Sequence, residues 1–354
     1  MTGAGGGVEF VDPQSTPGHY HRYSIEIERE LGDRLRVNAA YAGAAGRTLA
    51  IGGSSGSFFN VNQLDPQHLS LGTGLLQPVA NPFFGTPLAV GILAGAEIPA
   101  GQLLRPYPQF DAVFAMRSAL ARSRFDALIL GAARRFDRWS VLANYSLSRA
   151  SDNQFGESNF FSEGSSIRNY YDIESEYGLS VLDTPHRLNV SGSVDLPFGF
   201  SASVAATLQS GFPIAVSQAA QNSGLLTGSQ RPNVVPGVDP VLTSNPVDGF
   251  DPACSCIKWL NPAAWSAAAP FTLGNAPRAD GRARTPGRRL VDVAVDRAFR
   301  MTKGVLTLRA EIINALNARD FRGPNNQWGS ATFGEIRSDS GFPRTLQLRA
   351  RVTW

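Results

Sequence analysis

The chain has 354 residues, 43% of them apolar and 17% charged, with a formal net charge of +3, a balance compatible with one large folded domain or two ordinary ones. Lys258 and Lys303 are the only lysines among 32 basic residues, and no dense basic run with interleaved aromatics occurs, which argues against a nucleic-acid partner. No stretch approaches the ~18 consecutive apolar residues of a membrane-crossing helix, so a helical bundle is excluded while a strand-built membrane protein stays open.

Residues 1–18 are expected to be a flexible end. Their glycine run has no strand before it and no Lys-Ser/Thr after it, so it is not a phosphate loop, and residues 1–7 lack the basic and then apolar pattern of a secretory signal. Alternation begins at residue 20. Tyr23, Ile25 and Ile27 share one face and Arg22, Ser24, Glu26 and Glu28 the other, the period-2 pattern of a half-buried strand. A short turn at residues 30–33 leads to Leu35, Val37, Ala39 and Tyr41, alternating with Arg36, Asn38 and Ala40, which completes a hairpin.

Residues 43–122 read as a long loop punctuated by Gly52-Gly53, Asn81-Pro82 and Arg105-Pro106-Tyr107-Pro108. A loop of this length is uncommon inside a compact soluble domain. A second hairpin follows over residues 125–148. Its return strand is clear, with Trp139, Val141, Ala143, Tyr145 and Leu147 on one face, whereas its outgoing strand is blurred by Leu128-Ile129-Leu130. After a polar loop at 149–185, the third hairpin alternates Leu188, Val190, Gly192, Val194 and Leu196 with Asn189, Ser191, Ser193 and Asp195. It turns at Pro197-Phe198-Gly199 and returns with Phe200, Ala202, Val204, Ala206 and Leu208 on its apolar face.

The loop at 213–286 carries the only cysteines, Cys254 and Cys256. With one residue between them they form either a strained loop disulfide or two unpaired thiols; no His or further Cys nearby suggests a metal site. The fourth hairpin sets Val291, Val293 and Val295 against Asp292 and Asp296, and then Leu306, Leu308, Ala310 and Ile312 against Thr307, Arg309 and Glu311. After a loop at 317–341 the chain ends in a strand with Leu346, Leu348, Ala350, Val352 and Trp354 on one face and Gln347, Arg349 and Arg351 on the other. Strands of about 9 to 11 residues with this alternation are those of transmembrane β-barrels, although any one of them would also suit a soluble sandwich.

The connections sort the two readings. Short turns alternate with long loops, as in barrels with short periplasmic turns and long external loops. To keep that order, residues 110–120 must belong to an outer loop and not to a crossing. Four hairpins and the terminal strand then give nine crossings. Bacterial single-chain barrels have even strand numbers, and an unpaired edge in lipid leaves backbone groups without partners. The expected fold is therefore all-β, an antiparallel transmembrane β-barrel portion over residues 19–354, incomplete as it stands and with one edge of the terminal strand unsatisfied.

Several phrases carry a resemblance. Arg309-Ala310-Glu311-Ile312-Ile313-Asn314-Ala315-Leu316-Asn317, Phe333-Gly334-Glu335-Ile336, Pro343-Arg344 and the final strand resemble the C-terminal end of TonB-dependent receptors of the Oar-like class. Pro185-His186-Arg187-Leu188, Leu196-Pro197-Phe198-Gly199, Leu104-Arg105-Pro106-Tyr107-Pro108 and Leu260-Asn261-Pro262-Ala263-Ala264-Trp265 are similar to its other recurring phrases. The resemblance implies a 22-stranded barrel whose last nine strands lie here, in the cell outer membrane, with plug and TonB box on N-terminal parts this sequence lacks. It further implies that Leu346, Leu348, Ala350, Val352 and Trp354 form the signal read by the barrel assembly machinery. The remaining partners would be outer-membrane lipid, a transported ligand of unknown identity, and the TonB complex through those N-terminal parts.

No cofactor is expected. The only local catalytic pairing, Asp183 with His186, is better read as the start of a strand, and the chain is expected not to be an enzyme. Residues facing the lumen should be Asp292, Asp296, Arg309, Glu311, Arg349 and Arg351. Two functions fit: part of an active transporter whose loops touch ligand, or a small passive pore or adhesin-like barrel complete in itself.

Overall fold

The computed structural model describes residues 5–32, 34–51, 59–86, 89–153, 167–226 and 229–354. Among the described residues, nine long strands follow one another along the chain. They are β1 (His19–Leu31), β2 (Leu35–Ile51), β3 (Ser118–Arg135), β4 (Trp139–Asp152), β5 (His186–Asp195), β6 (Phe200–Gln209), β7 (Arg288–Met301), β8 (Gly304–Ile313) and β9 (Thr345–Thr353). Each pairs antiparallel with the next in an unbroken meander, with Gly178–Leu179 added beside β4. The nine crossings expected from the alternation are these nine strands. β1 and β9 have no sheet partner on their outer sides among the described residues, so the sheet is open.

The register carries the sequence alternation across the whole sheet. Trp139, Val194, Ala202, Val295, Ala310 and Leu348 stand opposite one another from β4 to β9 and form an apolar row. One residue along lies the row Ser140, Ser193, Ser203, Ala294, Glu311 and Gln347. A slip of one residue in any strand would exchange the two faces. The apolar face is bare: Ile25 is 66% and Leu348 73% exposed, which a protein surrounded by water would not tolerate over so large an area.

Local chemistry sets the short turns. Gly32 (φ 53°), Gly199 (φ 76°) and Gly304 (φ 118°) occupy left-handed backbone at three of them, a region in which a side chain is strained. The blurred strand of the second hairpin is β3. Leu128 and Leu130 join the apolar face, whereas Ile129 falls on the polar one opposite Ala40 and Ser146. Near its upper end Arg124 and Asp126 lie on the apolar face. Asp126 there accepts from Arg124 Nε at 2.7 Å and from the Tyr41 hydroxyl at 2.5 Å.

Strands reach further into the long-loop rim than the sequence indicates. β2 runs on to Ile51 with register shifts after Gly46, β3 starts at Ser118, and β4 continues to Asp152. Leu49, Ile51 and Ala121 are buried there because Phe59, Ile167 and Ile173 pack over them. Residues 110–120 contain a strand, Ala112–Met116, that lies outside the main sheet, as the order of crossings requires. It pairs with Phe59–Asn60 and, in parallel, with Gly7–Val11, so this part of the expected flexible end is ordered by backbone hydrogen bonds. Residues 1–4 of that end lie outside the described residues.

The long loops are folded together. Ile214, Val216, Ile257, Trp259, Trp265 and Phe333 bring the third and fourth long loops into one apolar cluster. Gln63 Nε2 donates to Asn169 Oδ1 at 2.7 Å, and Leu64 N to the carbonyl of Leu225 at 3.2 Å, which ties the first loop to the second and third. The buried core of the molecule thus sits at the long-loop rim and not within the sheet.

Candidate functional site: the polar inner wall

The polar face of the sheet is concave. A cavity of about 720 Å³ lies against it, reaching from Glu30 and Arg36 on one side to Asp292, Arg309 and Glu311 on the other. Its position follows from the period-2 pattern, since every strand contributes alternate residues to one wall.

The strongest electrostatic feature is on β7 and β8. Asp296 and Arg309 are direct cross-strand partners, and Arg309 Nη1 donates to Asp296 Oδ2 at 3.1 Å. Its Nη2 donates to Glu311 Oε1 at 3.3 Å, two residues along the same strand. One guanidinium therefore spans two carboxylates, a use of its planar fork of donors that a lysine would not reproduce. Asp292 behaves differently. Its Oδ1 accepts the backbone N–H of Asn314 at 2.8 Å and so holds the upper end of β8.

Arg349 stands beside Arg309 in register on β9, and Arg351 beside Thr307. Both are exposed, and no carboxylate pairs with either among the described residues. Of the six residues expected on the inner face, the structure joins Asp296, Arg309 and Glu311 in one network, gives Asp292 a backbone partner and leaves Arg349 and Arg351 on the edge strand. Leu346, Leu348, Ala350 and Val352 share the apolar face of β9, and Trp354 follows the strand, 94% exposed.

The opposite wall of the cavity was visible only as unassigned charges. Glu30, Arg34, Arg36 and Arg135 line it, with Arg36 Nε 3.5 Å from Glu28 Oε1 and Arg34 Nη1 2.6 Å from Asp137 Oδ1. Glu28 and Arg36 belong to the polar faces of β1 and β2, so the signal was present; that they look across at Arg309 depends on the curvature of nine strands.

Above the sheet a second polar system is buried. Glu176 and Arg231 pair at 2.8 Å with both side chains nearly inaccessible, and burial pushes the Arg231 guanidinium down against the opposing pull of Glu176. Burial raises the Tyr170 hydroxyl to about 12 against the opposing effect of a hydrogen bond with the Asn60 backbone. The Lys258 ammonium and the Arg337 guanidinium converge on the buried Glu335 carboxylate and hold it below the usual range, the Lys258 hydrogen bond being the largest cause. Sequence reading missed the Glu176–Arg231 and Lys258–Glu335 pairs because their members lie far apart in the chain.

Cys254 and Cys256 are joined in a disulfide with a Cα separation of 5.1 Å. Asp183 and His186, weighed as a catalytic pairing, turn to different partners. Asp183 Oδ2 accepts from Arg284 Nη2 at 2.6 Å, while His186 Nδ1 lies 2.7 Å from the Tyr145 hydroxyl.

Among solved structures, the outer membrane transporter YddB from Escherichia coli is similar at 8% identity and a TM-score of 0.48, over 97% of this chain and 34% of that one. The ferric citrate transporter FecA in its unliganded form gives 12% identity and 0.40, over 94% and 30%. The ferripyoverdine receptor of the outer membrane of Pseudomonas aeruginosa, bound to ferripyoverdine, gives 13% and 0.40, over 94% and 27%. The chain thus spans about a third or less of each of these proteins. No curated protein matches its sequence. A family model described as outer membrane beta barrel domain matches residues 1–347. With alternating faces, sorted connections and a polar concave wall in place, that match settles the kind of protein this is: the chain belongs to the outer membrane beta barrel domain family and resides in the outer membrane.

Proposed function

We propose that the chain is the C-terminal wall and outer-loop portion of a TonB-dependent outer-membrane receptor of the Oar-like class, active in transport and not in catalysis. The observation that carries this reading is the pair of open edges. β1 and β9 both run toward the short-turn rim, so joining them directly would make a parallel seam, whereas bacterial barrels close with antiparallel strands in even number. Closure with antiparallel pairing throughout requires an odd number of further strands between them. Lipid supplies no partner for the exposed backbone groups in the meantime.

In this reading residues 19–354 contribute nine strands, with the plug and the TonB-contacting segment carried on other parts of the receptor. The polar inner wall with Asp296, Arg309 and Glu311 lines the route of a ligand, and the interlocked loops form its outer mouth. The barrel assembly machinery reads Leu346, Leu348, Ala350, Val352 and Trp354. The alternative, a small passive pore or adhesin-like barrel, needs closure within this chain alone.

An antibody against the third long loop, used on outer membranes of the native cell, tests the proposal. The expected result is a heat-modifiable protein far larger than 37.9 kDa, with substrate accumulation lost when TonB is inactivated. A heat-modifiable species of 37.9 kDa with steady, ungated conductance would overturn it.

A further inference from the structure

On the apolar face of the sheet, near the short-turn rim, Arg297 is out of keeping with its neighbours. It shares β7 with Val293, Val295 and Phe299 on that face, and its direct partners on either side are Phe200 and Leu308. Its guanidinium carbon lies 4.7 Å from the centre of the Phe200 ring and 4.6 Å from that of Phe299. No carboxylate pairs with it among the described residues. Two rings therefore hold the cation in place through their faces, and no described residue is a hydrogen-bond partner of its N–H edge.

A groove of about 550 Å³ opens beside it, toward the middle of the strands, with Val295, Leu308, Ala310 and Leu348 on its floor. Phe200 follows the Pro197–Gly199 turn directly, and Phe299 lies just before the turn after Met301, which puts the rings at the periplasmic boundary of the membrane and the groove within its hydrocarbon. At that boundary an arginine is tolerated far better than at the midplane, and its guanidinium lies level with the lipid headgroups.

We propose that Arg297 and the adjoining groove bind a phospholipid of the periplasmic leaflet, the phosphodiester accepting hydrogen bonds from the guanidinium and one acyl chain lying along Val295, Leu308, Ala310 and Leu348. The chemistry fits in both halves: a planar fork of donors matches phosphate oxygens, and Val295, Leu308, Ala310 and Leu348 offer apolar side chains, whereas Asp296, Arg309 and Arg349, which also border the groove, occupy the alternate positions of the polar face. The two rings preorganise the cation, so little of its rotamer freedom is lost on binding. The site requires only that the chain sit in the outer membrane with its short turns in the periplasm, and it stands whether or not the protein is coupled to TonB.

The test uses the full natural polypeptide purified from outer membranes in a mild detergent, with phosphatidylglycerol and phosphatidylethanolamine as probes and retained lipid counted by native mass spectrometry. Wild-type protein is expected to keep a phospholipid through detergent exchange. Arg297→Gln should lower its retention about tenfold, Arg297→Lys should restore part of it, and Ala310→Phe, which fills the groove with another apolar side chain, should lower it while leaving heat-modifiability unchanged. Inorganic phosphate should not compete. Unchanged retention in Arg297→Gln and Ala310→Phe, equal retention of uncharged diacylglycerol, or displacement by inorganic phosphate would each overturn the proposal. If Arg297→Gln fails to assemble, the Ala310→Phe result decides alone.

Discussion

Arg309 and Glu335 illustrate what one charged residue does in each half of the molecule. Arg309 is about a quarter exposed and bridges Asp296 and Glu311 on the wet wall, where water screens each pair and the contribution of either is modest, about 0.2–1 kcal/mol. Glu335 is buried in the loop assembly between Lys258 and Arg337. Its carboxyl titrates below the ordinary value of about 4.3, so the stability it contributes is fully present above that value and is lost as the pH falls through its folded value. Acid should therefore loosen the loops: fluorescence of Trp259 and Trp265 followed from pH 7 to pH 3 is expected to shift, and Glu335→Gln is expected to flatten that shift. An acid profile identical in the two proteins would contradict the assignment.

At the scale of the strand, face matters more than residue type. Val204 and Ser203 are neighbours on β6, the first on the apolar face and the second on the inner wall. In the assembled barrel Val204→Arg should destabilise by about 2–4 kcal/mol, the cost of a cation at the bilayer midplane. Ser203→Arg should cost far less, since its side chain enters the wet cavity. Urea unfolding of both variants in lipid vesicles compares them directly, and equal costs would mean that the faces are misassigned. The same logic accounts for β3. Its alternation was blurred because Ile129 stands on the inner face and the Arg124–Asp126 pair on the outer one, so hydropathy alone assigned no faces, whereas pairing with β2 and β4 fixes them.

For the molecule as a whole, stability is divided between two media. The sheet bares an apolar face on one side and a polar wall on the other, while the apolar clusters lie among the loops. Trp265, 3% exposed and edge-on to Phe333 at 5.5 Å between ring centres, is central to the larger cluster. Trp265→Ala should cost the loop assembly about 3–5 kcal/mol. The expected outcome is cleavage of the loops by protease added to intact cells, with the heat-modifiable barrel retained. Protection equal to wild type would show that the loops do not depend on this cluster.

The sequence by itself determined the nine strands, the faces of all of them but β3, and the sorting of short and long connections, because a period of two and the turn residues are local signals that need no knowledge of the rest of the chain. From the same alternation Asp296, Arg309 and Glu311 could be put on one wall. Only the tertiary structure decided that Arg309 bridges both carboxylates, that Arg36 faces the same cavity from the far side, and that Glu176 meets Arg231 and Glu335 meets Lys258. The Arg309 bridge depends on the register of one hairpin, whereas the other relations join residues distant in the chain through sheet curvature and loop packing, which leave no period in the sequence. The disulfide between Cys254 and Cys256 belongs with them: spacing left two outcomes, and the fold of the loop chose one.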